Sequence, residues 1–133
     1  MAEPFMEHPT GDFNTAIEAM TDAVSRLRAL SAWDEWITFE AQGEGGNAES
    51  YDFAEVRMLG DQLAVGDEPL DVARIVAAAG TGTTSLVADG RDYSVAAAAP
   101  REVAQILDAI FRHHFGIRPF ADEGDDYAVG AEW

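Results

Sequence analysis

The spacing of apolar residues changes several times along this chain, and this change limits the folds that the chain can adopt. Apolar residues three and four positions apart lie on one side of a helix, whereas strict alternation of apolar and polar residues is typical of a half-buried strand. Helical spacing and alternation follow one another here in a fixed order. That order predicts an α+β domain, an antiparallel sheet with three helices arranged α-β-β-β-α-β-β-α, followed by a C-terminal strand.

Three segments have helical spacing. The first, Phe13 to Leu30, carries an apolar stripe made of Phe13, Ile17, Met20, Val24 and Leu27. The second, Leu70 to Ala79, is apolar nearly all round, so we expect it to be buried and to end at Gly80. The third begins at Pro100 and ends at Gly116. Its apolar side comprises Val103, Ile106, Leu107, Ile110, Phe111 and His114.

Six segments alternate in the manner of strands. They are Trp36–Ala41, Tyr51–Met58, Leu63–Val65, Ser85–Ala88, Tyr93–Ala97 and Tyr127–Trp133. The first three follow one another closely and predict an antiparallel meander, with a flexible connection from Gly43 to Asn47. Asp89-Gly90 tolerates the positive φ of a tight turn and predicts a hairpin between the fourth and fifth segments.

The length of 133 residues is typical of one domain, which we place at residues 13–133, with residues 1–12 as a disordered or loosely attached N-terminus. The chain has no cysteine, which excludes disulfides and thiolate zinc sites and suits a reducing compartment. The first twelve residues lack the basic start and apolar run of a secretory signal. No apolar stretch approaches the roughly 20 residues that span a bilayer. We therefore expect a cytoplasmic protein with no membrane partner.

The charge of the chain is strongly negative. It has 25 acidic residues against 8 basic ones, all arginine, for a formal net charge of -17. Such a field repels nucleic acids and anionic membranes and favours basic partners. These include a cationic protein surface, an unfolded basic segment, and a nucleic-acid-binding protein whose site is occupied by a mimic. The alternative is that a GC-rich genome or a saline cytosol biases the composition.

The stretch from Asp34 to Glu55 concentrates this charge. It contains seven acidic residues and no basic one; Trp33 comes directly before it and Trp36 lies within it. Aromatic residues beside charges are common in protein-binding surfaces, and Trp36 shares a strand face with Glu40. Alternatively, both tryptophans anchor the first helix to the sheet. The predicted partner-binding residues are Trp36, Glu40, Glu44, Glu49, Asp52 and Glu55.

The residues suited to catalysis or metal binding do not form a recognisable pattern. His113 and His114 are adjacent, so on a helix they point about 100° apart and do not face one metal. The acidic segment Asp122 to Asp126 lacks the ligand spacing of an EF-hand loop, and a solvated loop is favoured. The candidate metal ligands in this segment are Asp122, Asp125 and Asp126. We therefore predict no catalytic residue, no metal site and no cofactor.

The element order, the length and the acidity resemble the type III secretion chaperones and their relatives. The resemblance covers Phe13 to Phe115 and rests on topology, without a sequence motif. It implies a small acidic protein that forms a homodimer and holds a segment of a partner protein in extended form. The strand at Tyr127 to Trp133 departs from that family's usual ending.

These observations favour a non-catalytic acidic module, of chaperone, immunity or adaptor type, that binds a basic or partly unfolded protein. Two alternatives stay open. One is a small-ligand or metal-dependent enzyme that uses acidic residues with His113 and His114. The other is a DNA-mimic inhibitor, suggested by the long stretch without basic residues.

Overall fold

The computed structural model describes residues 4–6, 16–29, 37–44, 51–59, 62–66, 69–81, 86–90, 92–95, 99–118 and 128–132. These ranges contain seven strands, three α-helices and one π-helical segment. In chain order they are β1 (Pro4–Met6), α1 (Ala16–Ala29), β2 (Ile37–Glu44), β3 (Tyr51–Leu59), β4 (Gln62–Ala64), α2 (Val72–Ala79), β5 (Leu86–Asp89), β6 (Asp92–Val95), α3 (Pro100–Ala109), the π-helical segment (Ile110–His114) and β7 (Ala128–Glu132). The predicted α+β class and element order are confirmed.

The described strands form one antiparallel sheet in the order β1-β7-β2-β3-β4-β6-β5. Strands β2, β3 and β4 form the predicted meander. The chain then passes through α2 to the β5–β6 hairpin, and β6 pairs with β4. Strand β7 pairs with the other side of β2. Among the described strands, the two at the edges of the sheet are therefore β1 and β5.

One face of the sheet, called here the covered face, carries the core. Its buried side chains are Phe39, Ala41, Ala54, Val56, Met58, Leu63, Leu86, Tyr93, Val95 and Val129. They pair across the strands, as in Phe39 with Val56 and Met58 with Leu63. Because successive side chains of a strand point to opposite faces, this register places the apolar residues on the side where the helices pack.

Helix α3 lies in the middle of the helical layer and contacts both α1 and α2. Five of its ten residues are buried, namely Val103, Ala104, Ile106, Leu107 and Ala109. On α1, Met20 and Val24 of the predicted stripe are buried, and Ile17 is partly buried. Three small residues of α1 are also fully or almost fully buried, namely Ala16, Ala19 and Ala23. Their short side chains permit a close approach of α1 to α3.

Helix α2 differs from the expectation. We expected Leu70 to Ala79 to be buried nearly all round, but only Ile75, Val76 and Ala79 of the helix are buried. Its exposed residues are Ala73, Arg74, Ala77 and Ala78. The helix lies at the outer side of the helical layer, where it contacts α3 and β5, so half of its surface faces away from the core.

The ends of α2 follow from local chemistry. Asp71 is the N-cap, since its Oδ1 accepts a hydrogen bond from the backbone N–H of Arg74 at 3.2 Å. Pro69 therefore precedes the helix. Gly80 ends it as predicted, with φ 73° and an N–H that donates to the carbonyls of Val76 and Ala77.

Strand β2 is longer than predicted. The flexible connection was expected to begin at Gly43, but β2 continues to Glu44. A Cβ at Gly43 would overlap the carbonyl oxygen of Arg118 and lie 2.8 Å from Ile117 Cγ2. The glycine is therefore needed for the close approach of the chain after the π-helical segment, and not for a turn.

Two further elements lie outside the sequence predictions. The chain after α3 continues as the π-helical segment, in which the N–H of Phe115 donates to the carbonyl of Ile110 at 3.1 Å. Strand β1 pairs with β7 at the edge of the sheet. The other residues before Ala16 lie outside the described residues, so for the rest of residues 1–12 the loose attachment stays a prediction. No described helix has the length and apolar character required to cross a bilayer.

Candidate functional site

The second face of the sheet, called here the open face, is mainly polar. None of its described side chains is buried; they are Thr38, Glu40, Gln42, Glu55, Arg57, Leu59, Gln62, Ala64, Val87, Asp89, Asp92 and Ser94. Each alternates along its strand with a residue of the covered face. The open face is thus displayed by the same strands that form the core, and its position is fixed by their packing.

Two of the predicted partner-binding residues meet on this face. Glu40 of β2 and Glu55 of β3 are paired directly across the strands, and directly opposite residues have Cβ atoms about 4.5–5.5 Å apart. Glu40 is half-buried and Glu55 is exposed. Arg57, paired with Thr38, lies on the same face two residues further along β3. The structure therefore places two carboxylates side by side, with one guanidinium group nearby.

The other predicted partner-binding residues do not join this pair in the described structure. Glu44 is paired with Tyr51, and Asp52 is paired with Gly43, where β2 ends and β3 begins. Trp36 and Glu49 lie outside the described residues. The face that Trp36 was expected to share with Glu40 therefore stays a prediction.

The two histidines belong to the π-helical segment. His113 is exposed, and His114 is half-buried with its ring edge-on to Phe115 at a centroid distance of 4.8 Å. On the same segment, Arg112 Nε lies 2.9 Å from Asp108 Oδ1. Within the described ranges, no three histidine, cysteine or acidic residues are grouped so as to hold a metal ion. Asp122, Asp125 and Asp126 lie outside those ranges.

Sequence reasoning missed the free edge formed by β5. The hairpin around Asp89 and Gly90 is confirmed, with Gly90 at φ 67°. Its position at the end of the sheet was not foreseen, because strand order depends on contacts between distant parts of the chain. Val87, on this edge, is 50% exposed and is the large hydrophobic residue that the described part of the chain leaves exposed.

No family model matches the chain, and no curated protein and no solved structure matches it significantly. The resemblance to type III secretion chaperones therefore stays a prediction from the sequence.

Proposed function

We propose that this chain is a non-catalytic acidic protein-binding module, of chaperone, immunity or adaptor type, for a basic or partly unfolded protein partner. The observation that supports the proposal is the direct pairing of Glu40 with Glu55 on the open face. This face does not form the core, so its side chains can contact a partner without disturbing the packing of the helices.

The pairing has an electrostatic consequence. Like charges directly opposite each other on a sheet are destabilising, in a range where cross-strand pairs count for about 0.2–1 kcal/mol. Arg57 lies on the same face, so two carboxylates beside one guanidinium group leave this area with a net negative charge, which a basic side chain from a partner neutralises. Glu55 is exposed and therefore accessible to such a group. The pair thus favours a cationic partner over a neutral one.

The total charge acts at longer range. A net charge of -17 steers a basic molecule towards the chain before contact. At physiological ionic strength the screening length is about 8 Å, so only acidic residues near the contact contribute strongly once the partner is bound. The proposal therefore predicts an association that weakens as salt is added.

The proposal also covers the cellular location and the oligomeric state of the chain. A cytoplasmic location is supported by the absence of cysteine, which suits a reducing compartment. A homodimer is implied by the resemblance to secretion chaperones, and sedimentation velocity of the purified chain tests it. The enzyme and DNA-mimic hypotheses gain no supporting observation from the described residues.

The experiment compares an unfolded lysine-rich peptide with a glutamate-rich peptide of equal length, by titration calorimetry at low and at physiological salt. We expect the lysine-rich peptide to bind and the glutamate-rich peptide not to bind. The double variant Glu40→Gln with Glu55→Gln should lower the affinity about three- to tenfold, the effect of exposed charge pairs. Glu18→Gln, the same change at an exposed position on α1, is the matched control.

Two results would contradict the proposal. One is the absence of binding by the lysine-rich peptide at low salt. The other is an affinity that does not change with salt, because a charge-driven contact between exposed groups must weaken when it is screened. An equal loss of affinity in the Glu18→Gln control and in the double variant would move the contact away from the open face.

A further inference from the structure

Strand β5 leaves backbone groups directed away from the sheet. Among the described strands it pairs with β6 alone. Asp89 and Asp92 flank the two-residue turn of the hairpin, so they form a hydrogen-bonded pair. Along the two strands, hydrogen-bonded pairs alternate with non-hydrogen-bonded pairs, so Ala88–Tyr93 and Leu86–Val95 are non-hydrogen-bonded. The N–H and C=O groups of Leu86 and Ala88 therefore point away from β6, towards the free edge.

The two edges of the sheet differ in their protection. Proteins commonly block an edge with proline, lysine, a bulge or a very short strand. Strand β1 has three residues, contains Pro4 and has an irregular register with β7. Strand β5 has four residues and carries Asp89 at its end, but it contains no proline and its register with β6 is regular from Leu86 to Asp89. The β5 edge is therefore the one that can accept another strand.

An added strand would meet apolar groups on both of its faces. On the open face, Val87 is 50% exposed and stands next to the edge. On the covered face, α2 contacts β5 and forms the outer side of the helical layer. Its exposed residues are the three alanines Ala73, Ala77 and Ala78, together with Arg74. In strand addition, main-chain hydrogen bonds supply affinity and contacts to alternate side chains supply specificity.

Charge selects the occupant of the edge. Asp89 is exposed and Asp92 is half-exposed at the turn that ends β5, but Arg74 is exposed on the neighbouring α2, so the net charge of the chain decides rather than these local groups. A second copy of the chain would bring another net charge of -17 to the same edge, whereas a basic segment brings the opposite sign. We propose that the β5 edge binds an extended basic segment of the partner protein as an additional strand. This inference rests on the proposed function, because it states how the basic partner is held.

The proposed strand and the acidic pair on the open face are separate contacts. Three strand-to-strand steps lead from β3 through β4 and β6 to β5, and a fourth leads to the added strand. At about 4.8 Å per step, the added strand lies roughly 19 Å from Glu55. Substitutions at the two places therefore test the two proposals independently.

The test uses Ala88→Pro in the full chain, with Ala88→Thr as its matched control. Proline removes the outward N–H of residue 88 and is tolerated where that group faces solvent, whereas threonine keeps it. The probe is a short peptide of alternating lysine and valine, titrated into each protein at low salt. We expect Ala88→Pro to lower the affinity about tenfold or more, and Ala88→Thr to leave it near the wild-type value.

A second measurement keeps the test valid if Ala88→Pro does not fold, which circular dichroism would show. The wild-type chain is titrated with the same peptide carrying N-methyl groups on every second amide, which preserves its charge and blocks strand pairing. We expect this peptide to lose at least about tenfold in affinity for the same reason. Equal binding of the methylated and unmethylated peptides would overturn the inference.

The outcomes separate the two proposals. If Ala88→Pro and the wild type bind equally while Glu40→Gln with Glu55→Gln binds more weakly, the edge inference is wrong and the proposed function stands. If neither the lysine-valine peptide nor the unfolded lysine-rich peptide binds at low salt, both are wrong. If Ala88→Pro dissociates a homodimer formed by the wild type without peptide, a second copy occupies the edge and the inference is overturned.

Discussion

The two faces of the sheet use the same strands for different purposes. On β2, Phe39 and Ala41 are buried under the helices, while Gln42 between Ala41 and Gly43 is exposed. On β3, Val56 is fully buried and its neighbour Glu55 is exposed. A period of two separates the residues that stabilise the fold from those that contact solvent. The open face can therefore carry charge at little cost to stability, which is why we look for function there.

The largest expected difference between the faces is at Phe39, which is 1% exposed. Truncation to alanine leaves a cavity between β2 and the helices, and Phe39→Ala should lower the free energy of unfolding by about 3–5 kcal/mol. The same truncation on the open face of this strand, Gln42→Ala, should change it by less than about 0.5 kcal/mol. Urea unfolding followed by circular dichroism measures both.

If Phe39→Ala is too unstable to fold, Phe39→Leu can be measured in its place. It removes less volume and should lower the free energy of unfolding by a smaller amount. If Phe39→Ala and Gln42→Ala had similar effects, the division of β2 into a covered side and an open side would be wrong.

Gly43 offers the next largest effect, because it tests space rather than apolar contact. The carbonyl oxygen of Arg118 occupies the position that a Cβ would need. The overlap is between the backbone of residue 43 and that of Arg118, which cannot move aside as a side chain can. Gly43→Ala should therefore lower the free energy of unfolding by about 3 kcal/mol, the upper end of the range for overpacking. Thermal unfolding measures the loss.

The matched control is Gly116→Ala, where no atom lies within 4 Å of the added Cβ but φ is 74°. Here only the left-handed backbone conformation opposes the change, at about 1–2 kcal/mol. A smaller loss at Gly43 than at Gly116 would contradict the close approach of the two segments.

The parts of the fold that the sequence predicted correctly depend on local chemistry. Gly80 and Gly90 both adopt positive φ, at 73° and 67°, and they end a helix and form a turn as predicted. Alternation identified β2 and β3, and their pairing brought Glu40 opposite Glu55. The glycine turns and the alternation of each strand are encoded within a few residues of one another, whereas the register that pairs Glu40 with Glu55 was not predicted.

The features that were missed depend on contacts between distant parts of the chain or on residues that carry little information. Alanine is tolerated both in cores and on surfaces. The alanines of α2 therefore suggested burial, yet Ala77 and Ala78 are exposed, whereas Ala19 and Ala23 of α1 were left out of the predicted stripe and are buried. The edge position of β5 depends on strand order, which no local pattern reports.

Tyr93 gives a smaller effect on the covered face. Its hydroxyl oxygen accepts a hydrogen bond from the backbone N–H of Leu70 at 2.7 Å, which holds the segment before α2 against β6. Tyr93→Phe removes the acceptor and should cost about 1 kcal/mol, the net contribution of an ordinary hydrogen bond. Ser94→Ala, the next residue on the open face, should have less than about 0.5 kcal/mol of effect in the same thermal unfolding experiment. Equal effects would remove the hydrogen bond as the explanation.

The smallest expected effect has the opposite sign and belongs to the open face. Because Glu40 and Glu55 are paired directly across the strands, removing one charge should relieve repulsion. Glu55→Gln should therefore raise the free energy of unfolding by a few tenths of a kcal/mol, within the range of about 0.2–1 kcal/mol for cross-strand pairs. The increase should shrink at high salt, because salt ions screen the repulsion between the two carboxylates.

A double-mutant cycle isolates the pair from the other contacts of each residue. If the two carboxylates repel, the stabilisation by Glu55→Gln should be reduced once Glu40→Gln is already present, and the coupling energy has the sign of repulsion. A coupling energy of zero would mean that the open face bears this charge without strain, and the electrostatic reason for a basic partner would disappear. A repulsive coupling at low salt that vanishes when the lysine-rich peptide is bound would connect the stability of this face directly to its proposed use, because the partner's charges would then neutralise the same two carboxylates.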